Sequence, residues 1–540
     1  MIPFKPNNLK LLVSIFFIST LSSTYAQNIT KSQVYNDHRS YDPTIVGEDD
    51  DYFYVFSDYK RDYMLECYDK HTLKNKYKTI VKSEEKIGRG KDAGFSKFTF
   101  AEDKFIVFYQ YHDKTSRKDQ HYKLYAKTFN ASDGKPDGKK ELLDIEVEKK
   151  KRKGSFTILS STDKSKIFLE HAAYHKSLRK VVRKFMLLNS DLEVLYESEA
   201  LPSEDVDIPY YYIVDNDGSI YYIRYYPDEN KLMLASLDAN RDYEKWEEPL
   251  TLDIKAEEIQ LSSIELNINK NNELTFTGLY SVKKAISNYV NRYSLTGAFY
   301  ISMDHESKEI KHNKVHTFPD EFLDQFKTER QLKKQKDVIV NSDFNRLRVI
   351  NREDGGVIVV GEMYDYIVTN TRNNMYSKTI TYTDIAVFNF DKDGELLWSQ
   401  RIPKNQLFNY TSLNGILIFS SRGFRMFVPP NPYNTTKYFS YYSGIHDGKL
   451  VILYNDKFKN IEKRNNVNAR QKPYKKPHGT VVHRYTIDLE TGEYKSFADN
   501  KMLDANVYLR PKTYYQKDEN SASYLFAQKG KDYKYIKLSE

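Results

Sequence analysis

The chain has 540 residues, a formal net charge of +8, 46 Tyr and 30 Phe against 2 Trp, and one cysteine, Cys67. A single cysteine excludes an intramolecular disulfide, so stability has to come from a large apolar core. The mild positive excess favours acidic partners only weakly, and beyond residue 26 no apolar run approaches the roughly 20 residues of a membrane span.

The first residues carry Lys5 and Lys10, an apolar run from Leu11 to Leu21, and then Thr24-Tyr25-Ala26. Small residues after an apolar stretch behind a basic start are the mark of a signal peptide, with cleavage expected after Ala26. Removing the two lysines from the formal +8 leaves +6. No cysteine follows the cleavage point, so a lipid anchor there is not expected. The mature chain, 27–540, is expected to be exported, to the periplasm or beyond, as one monomeric domain with no nucleic-acid partner.

From there a pattern recurs eight times. A turn rich in Asp, Asn or Gly runs into a short β-prone stretch: Tyr52–Phe56, Phe105–Tyr109, Lys166–Glu170, Ser219–Ile223, Glu273–Thr277, Gly356–Val360, Lys449–Leu453 and Ser523–Ala527. A further strand follows each, such as Leu65–Tyr68, Leu232–Leu237 and Ile385–Phe390, and most of these end in a second turn such as Asp391-Lys392-Asp393-Gly394. Asp, Asn and Gly serve tight turns because they tolerate positive φ or bond their own backbone. The starts are spaced 53, 61, 53, 54, 83, 93 and 74 residues apart, a four-stranded unit of about 53 residues with later insertions. Four strands per ~40–50 residues is the arithmetic of a β-propeller.

The fold expected is therefore all-β, a propeller of eight four-stranded blades, with seven as the alternative if Glu273–Thr277 is an excursion of its neighbour. The chain stops at Glu540 after the last unit's third strand, while Ile29–Val34 is an orphan strand near the N-terminus. Pairing the two would close the ring and hide both edges. Cys67 falls in a strand-like run and reads as a buried, inert thiol.

Insertions are expected near 318–343, 364–383 and 455–480. Pro319-Asp320-Glu321 begins a short helix with Phe322, Leu323 and Phe326 on one face, and the apolar stripe then fails through Arg330–Lys336. Tyr364–Thr383 alternates around Asn373-Asn374 as a projecting hairpin. Asn465–Pro477 has no periodicity and reads as a mobile basic loop, and Lys149–Lys153 as a solvated linker.

The stretch from Glu353 to Val360 and on through Asp391–Gln406 resembles uncharacterised exported β-propeller proteins of Bacteroidetes-type bacteria. That resemblance implies fold and export and carries no activity with it.

The connections between second and third strands share one face of such a disc, which makes that face the expected binding surface. At their starts stand Tyr59 with Arg61, Tyr111 with His112, His171 with His175, Tyr225 with Tyr226, Tyr280, and Tyr364 with Tyr366. Aromatics beside cations and His could stack sugars or grip a peptide. His171 and His175 lack a third ligand, so no metal site is expected there. Asp391–Trp398 invites comparison with sialidase Asp-boxes and quinoprotein Trp-docking repeats, but it occurs once and reads as a turn rather than a calcium loop. No nucleotide, cofactor or nucleophile-elbow fingerprint is present. The expected function is binding of a protein or glycan without catalysis, with no cofactor; the alternative is a hydrolase or lyase of extracellular polysaccharide.

Overall fold

A computed structural model describes residues 28–539 except 38–40, 89–90, 115–119, 149, 199–200, 204–209, 227–230, 253–258, 288–289, 335–339, 341–343, 372–374, 414–417, 421–422, 426–435, 464–465, 467, 478 and 504–506. The signal peptide expected at 1–26 and the Asn373-Asn374 turn lie outside the described residues.

Each of the eight recurring stretches forms the second strand of its own four-stranded antiparallel sheet. Blades 1 to 7 span 42–81, 84–146, 155–203, 210–250, 259–317, 344–413 and 442–498, and blade 8 joins 508–539 to 28–31. Glu273–Thr277 belongs to a blade of its own, so the count is eight. Blades 2, 3 and 6 each carry a fifth strand, and blade 8 pairs in addition with Tyr35–Asn36.

Second strands are buried on both faces because every blade is sandwiched between two others. In Tyr52–Tyr59 of blade 1, Phe53 and Val55 enter the seam with blade 8, whereas Tyr54 and Phe56 enter the seam with blade 2. The fourth strand Asn75–Val81 lies at the rim and alternates between exposed and half-buried positions. Among the described residues, apolar clusters fill all eight seams, so the packing runs round a closed ring. Tyr is the common filler because a twisted sheet accommodates its ring and its hydroxyl reaches a wet or polar edge.

Closure follows the pairing expected for the orphan strand. Asn28–Lys31 runs antiparallel to Asp532–Ser539, with Asn28 opposite Ser539 and Lys31 opposite Ile536, and supplies the missing fourth strand of blade 8. A polar knot sits at the same seam. The carboxylate of Glu66, fully buried, accepts hydrogen bonds from Tyr41 at 2.6 Å, Tyr68 at 2.7 Å and Ser57 at 3.1 Å, and pairs with Lys78 at 3.0 Å.

Because strands alternate in direction, second-to-third connections and blade-to-blade crossovers emerge on one face, and the tight turns on the other. All three insertions therefore share one face, and over blades 5 to 7 they join. The 364–383 region continues the second and third strands of blade 6 as a hairpin, Tyr364 opposite Tyr382 and Thr371 opposite Met375, with Gln406–Leu413 added to its edge. The helix Asp320–Asp324 buries Phe322 against Phe318 and Phe388. A second helix, Glu329–Lys333, follows where the apolar stripe fails, because Thr328 and Gln331 form a capping box.

The described part of the 455–480 insertion is not a free loop. Tyr474 is fully buried, its N–H donates to Asn405 O and its carbonyl accepts from Leu407 N, both at 2.8 Å. Asn468 Nδ2 donates to the carbonyls of Asp324 and Lys327 at 2.8 and 2.7 Å, closing the end of the first helix. Aperiodic sequence hid this order, because single Asn and Tyr anchors leave no periodic signal.

Candidate functional site

Arg510-Pro511-Lys512-Thr513 lies in the first strand of blade 8, Tyr508–Tyr515. Proline cannot donate to a ladder, and the register jumps from Leu509 opposite Ala527 to Tyr514 opposite Leu525. Five positions on one strand thus span two steps on its partner. The extra residues bulge out, and a bulge re-aims side chains. First strands line the axis of the ring, so the bulge delivers its cations to the mouth of the central channel on the insertion face.

There Arg510 forms an ion pair with Asp42 at the start of blade 1 and donates to Gln528 Oε1 at 3.1 Å. Lys512 Nζ donates to the Tyr382 hydroxyl of the hairpin at 3.1 Å and lies 4.3 Å from that ring's centroid. Lys437, on the crossover into blade 7, donates to Gln528 Oε1 at 3.2 Å. A second bulge on blade 6 brings Arg348 to Ser443 of blade 7 and its guanidinium to within 4.8 Å of the Tyr514 ring centre. The cavity between these groups measures about 220 Å³ and is lined by Asp42, Thr44, Lys437, Arg510, Lys512 and Tyr514 among others.

Among the described lining residues three cations face one carboxylate, an excess of positive charge. Burial pushes the Lys437 ammonium down to about 8, with Arg510 adding to the effect and Asp42 opposing it. Asp58, directly across the ladder from Asp42, has its carboxyl raised above the usual range, first by burial and then by the charge of Asp42.

Beneath the mouth, Lys404 and Glu362 form a buried ion pair at 2.5 Å. Ser440 Oγ donates to Glu362 Oε2 at 2.6 Å, Ser440 N donates to Gln406 Oε1 at 2.6 Å, and Gln406 Nε2 donates to Asn455 O at 3.0 Å. These bonds fasten the hairpin's base to blade 7. Burial lowers the Lys404 pKa, with Glu362 opposing.

The opposite face differs. Lys270 of blade 5 and Glu519 of blade 8 pair at 2.6 Å, and Asn520 Nδ2 donates to Glu353 Oε1 of blade 6 at 2.7 Å, so tight turns from blades 5, 6 and 8 join on this side. Asp215, Asp217 and His305 also meet here, with ligand atoms all within 4.8 Å of one another. His305 Nε2 is 2.5 Å from Asp215 Oδ2, and Lys308 Nζ donates to the His305 carbonyl at 2.5 Å and pairs with Asp238 at 3.2 Å. His305 engages Asp215 and Lys308 engages Asp238, and these contacts stitch blades 4 and 5 together.

The residues expected to form a binding ring stand at the starts of their connections and engage neighbours separately. Tyr59 packs into the seam between blades 8 and 1, and Arg61 is exposed beside it. Tyr111 packs in the next seam with Lys91 Nζ 5.7 Å from its ring centre, and His112 is half-buried. His171 is buried and its Nε2–H donates to Lys153 O at 2.7 Å, while His175 Nδ1 is 3.6 Å from Glu148 Oε1. Four strand positions separate the two histidines by about 13 Å, too far to share one ion, although both line a cavity of about 100 Å³. Tyr225 lies in the strand Ile220–Tyr226, and its side chain is outside the described residues. Tyr364 packs against Tyr382 with ring centres 5.1 Å apart, and Tyr366 is exposed on the hairpin together with Ile367 and Val368. Sequence reading missed Lys437, Arg510 and Lys512. The signal for Arg510 and Lys512 was a proline between two cations inside an otherwise strand-like run, and Lys437 had none.

Asp391–Trp398 is a turn. Asp391 Oδ1 accepts from Asp393 N at 2.9 Å and Glu395 N at 2.8 Å. Trp398 Nε1 donates to Leu489 O of blade 7 at 3.0 Å, and its ring lies so close to Gly492, at φ +72°, that a Cβ there would stand 2.8 Å from it.

No family model matches the chain, and no curated protein matches it. Among solved structures, the WD40 domain of SCAP from fission yeast is similar at 9% identity and a TM-score of 0.40, over 95% of this chain and 98% of that one. The Dos1 propeller gives 10% identity and a TM-score of 0.40 over 95% of each chain. The polysaccharide lyase Uly1 gives 10% and 0.31, over 76% of this chain and 92% of its own. At such scores these likenesses carry no functional argument; the propeller rests on the sheet topology.

Proposed function

We propose that this is an exported, non-catalytic propeller that binds a protein or glycan on the face carrying its insertions. The observation that carries the reading is the joining of the three insertions on one face, beside a positively charged channel mouth that the hairpin reaches through Tyr382 and Lys512. A second feature supports it: Tyr366, Ile367 and Val368 leave consecutive exposed apolar side chains on the hairpin. Export rests on the N-terminal sequence pattern.

A second reading has one specific observation in its favour. Asp42 and Asp58 are adjacent carboxylates of which one is raised, the setting in which a carboxyl can act as a general acid in glycoside hydrolysis. Asp42 is, however, committed to Arg510.

The test is a screen of the mature chain against a glycan array and cell-envelope extract with product release followed in the same wells. Capture without turnover, lost when 364–383 is shortened, supports the binding reading. Turnover that disappears in Asp58→Asn establishes the hydrolase reading instead.

A further inference from the structure

We propose that the channel-mouth cavity is a subsite for the carboxylate of an acidic sugar, held by Lys437, Arg510 and Lys512 with the sugar ring against Tyr514. This rests on the binding reading and names the ligand's chemistry. Three long cationic side chains come from two elements distant in sequence and line one space, against one carboxylate, Asp42, among its described lining residues. An apolar core filler is the usual solution for packing a gap, and clustering like charges costs Coulomb energy. Arg510 and Lys437 share one neutral acceptor, the amide oxygen of Gln528, which places two cations side by side. Burial and that neighbour depress the Lys437 ammonium, a strain that an incoming anion relieves.

Size and lining narrow the ligand. About 220 Å³ lies below the roughly 300–1,000 Å³ of sites for drug-sized molecules and suits one ring of a chain that continues into solvent. The donors are side chains on flexible stems rather than the nest of backbone N–H groups typical of phosphate loops. Aromatic rings flank the cations: Tyr514 in the lining, Tyr382 under Lys512, and Tyr438 with its ring centre 5.3 Å from Lys437 Nζ. Rings beside cations suit the C–H face and carboxylate of a uronic acid, each in its place.

Calorimetric titration of the 27–540 chain tests this with an oligogalacturonate, the same oligosaccharide as its methyl ester, and an oligoglutamate peptide. The acid form is expected to bind at pH 7 and the methyl ester at least about tenfold more weakly. Lys437→Gln and Lys512→Gln, with unchanged melting temperatures, should each weaken the acid form about tenfold. Affinity should fall from pH 7 to 9 in the parent protein as Lys437 loses its proton, and not in Lys437→Gln. The inference is overturned if the acid form does not bind, if the ester or the oligoglutamate binds as well, or if neither substitution matters. Should the array find another ligand whose capture depends on 364–383 but not on these lysines, the binding reading stands and this inference alone fails.

Discussion

The Tyr41 hydroxyl donates to Glu66 at 2.6 Å and stands 2.9 Å from the hydroxyl of Tyr535, so a buried carboxylate of blade 1 and a tyrosine of blade 8 share one hydrogen-bonding partner. That partner precedes the first strand of blade 1, on the segment linking it to the closing strand. Glu66→Gln should therefore strike ring closure. It removes a fully buried charged acceptor from Tyr41, Tyr68 and Ser57 and one of the two counter-charges of Lys78, which keeps Asp37 at 3.1 Å. The expected cost is about 2–4 kcal/mol, read as a lower guanidinium midpoint with an unchanged slope.

Removing residues 28–36 should be worse. Blade 8 would lose its fourth strand and expose the edge of Asp532–Ser539. Four paired positions from Asn28–Lys31, two from Tyr35–Asn36 and the packing of Ile29 together represent on the order of 5 kcal/mol. A lower melting temperature together with concentration-dependent association in light scattering is the expected outcome.

The blade 4–5 clamp should make stability depend on pH. Asp215 raises the His305 pKa above its unfolded value of about 6.5, chiefly through their hydrogen bond, against the effect of burial. A raised folded pKa means that the protonated imidazole stabilises the fold. The contribution is complete below about pH 6.5 and is lost as pH climbs through the raised native value. His305→Gln should thus lose most stability relative to the parent at pH 5–6 and least at pH 9. Chemical denaturation across that range checks the sign, and a difference that grew with pH would refute it.

Cys67 is fully buried, and burial pushes its thiol up to about 12. A thiol-specific chromogenic reagent should leave the native protein unmodified at pH 8 and titrate one equivalent after denaturation.

Much of the fold is legible in the sequence. The second strands, Phe53 to Ser57 and their seven counterparts, are buried on both faces and so form continuous apolar runs behind turn residues. The closing strand follows from an unpaired third strand at one end and an orphan at the other. First strands are different. Phe344–Asn351 and Tyr508–Tyr515 border the channel, carry Arg348, Arg510 and Lys512, and are interrupted by bulges that erase the two-residue period. Glu362, Lys404 and Ser440 meet through three separate segments that no spacing rule joins. The binding ring read from Tyr59, Tyr111 and His171 falls on residues that engage separate neighbours, and the sequence could not rank them for a related reason. Tyrosine ends strands throughout this chain, so its position marks the seams as often as the surface.

Hydrogen-exchange footprinting of the 27–540 chain with the ligand that the array captures tests the central claim most directly, because it reports which face is covered. Slowed exchange at 364–371, 375–382, 436–440 and 508–515 is predicted, with the tight turns around Asp217, His305 and Glu519 unchanged. Protection confined to those turns or to the outer strands, with the hairpin and the channel mouth exchanging as in the free protein, would contradict it.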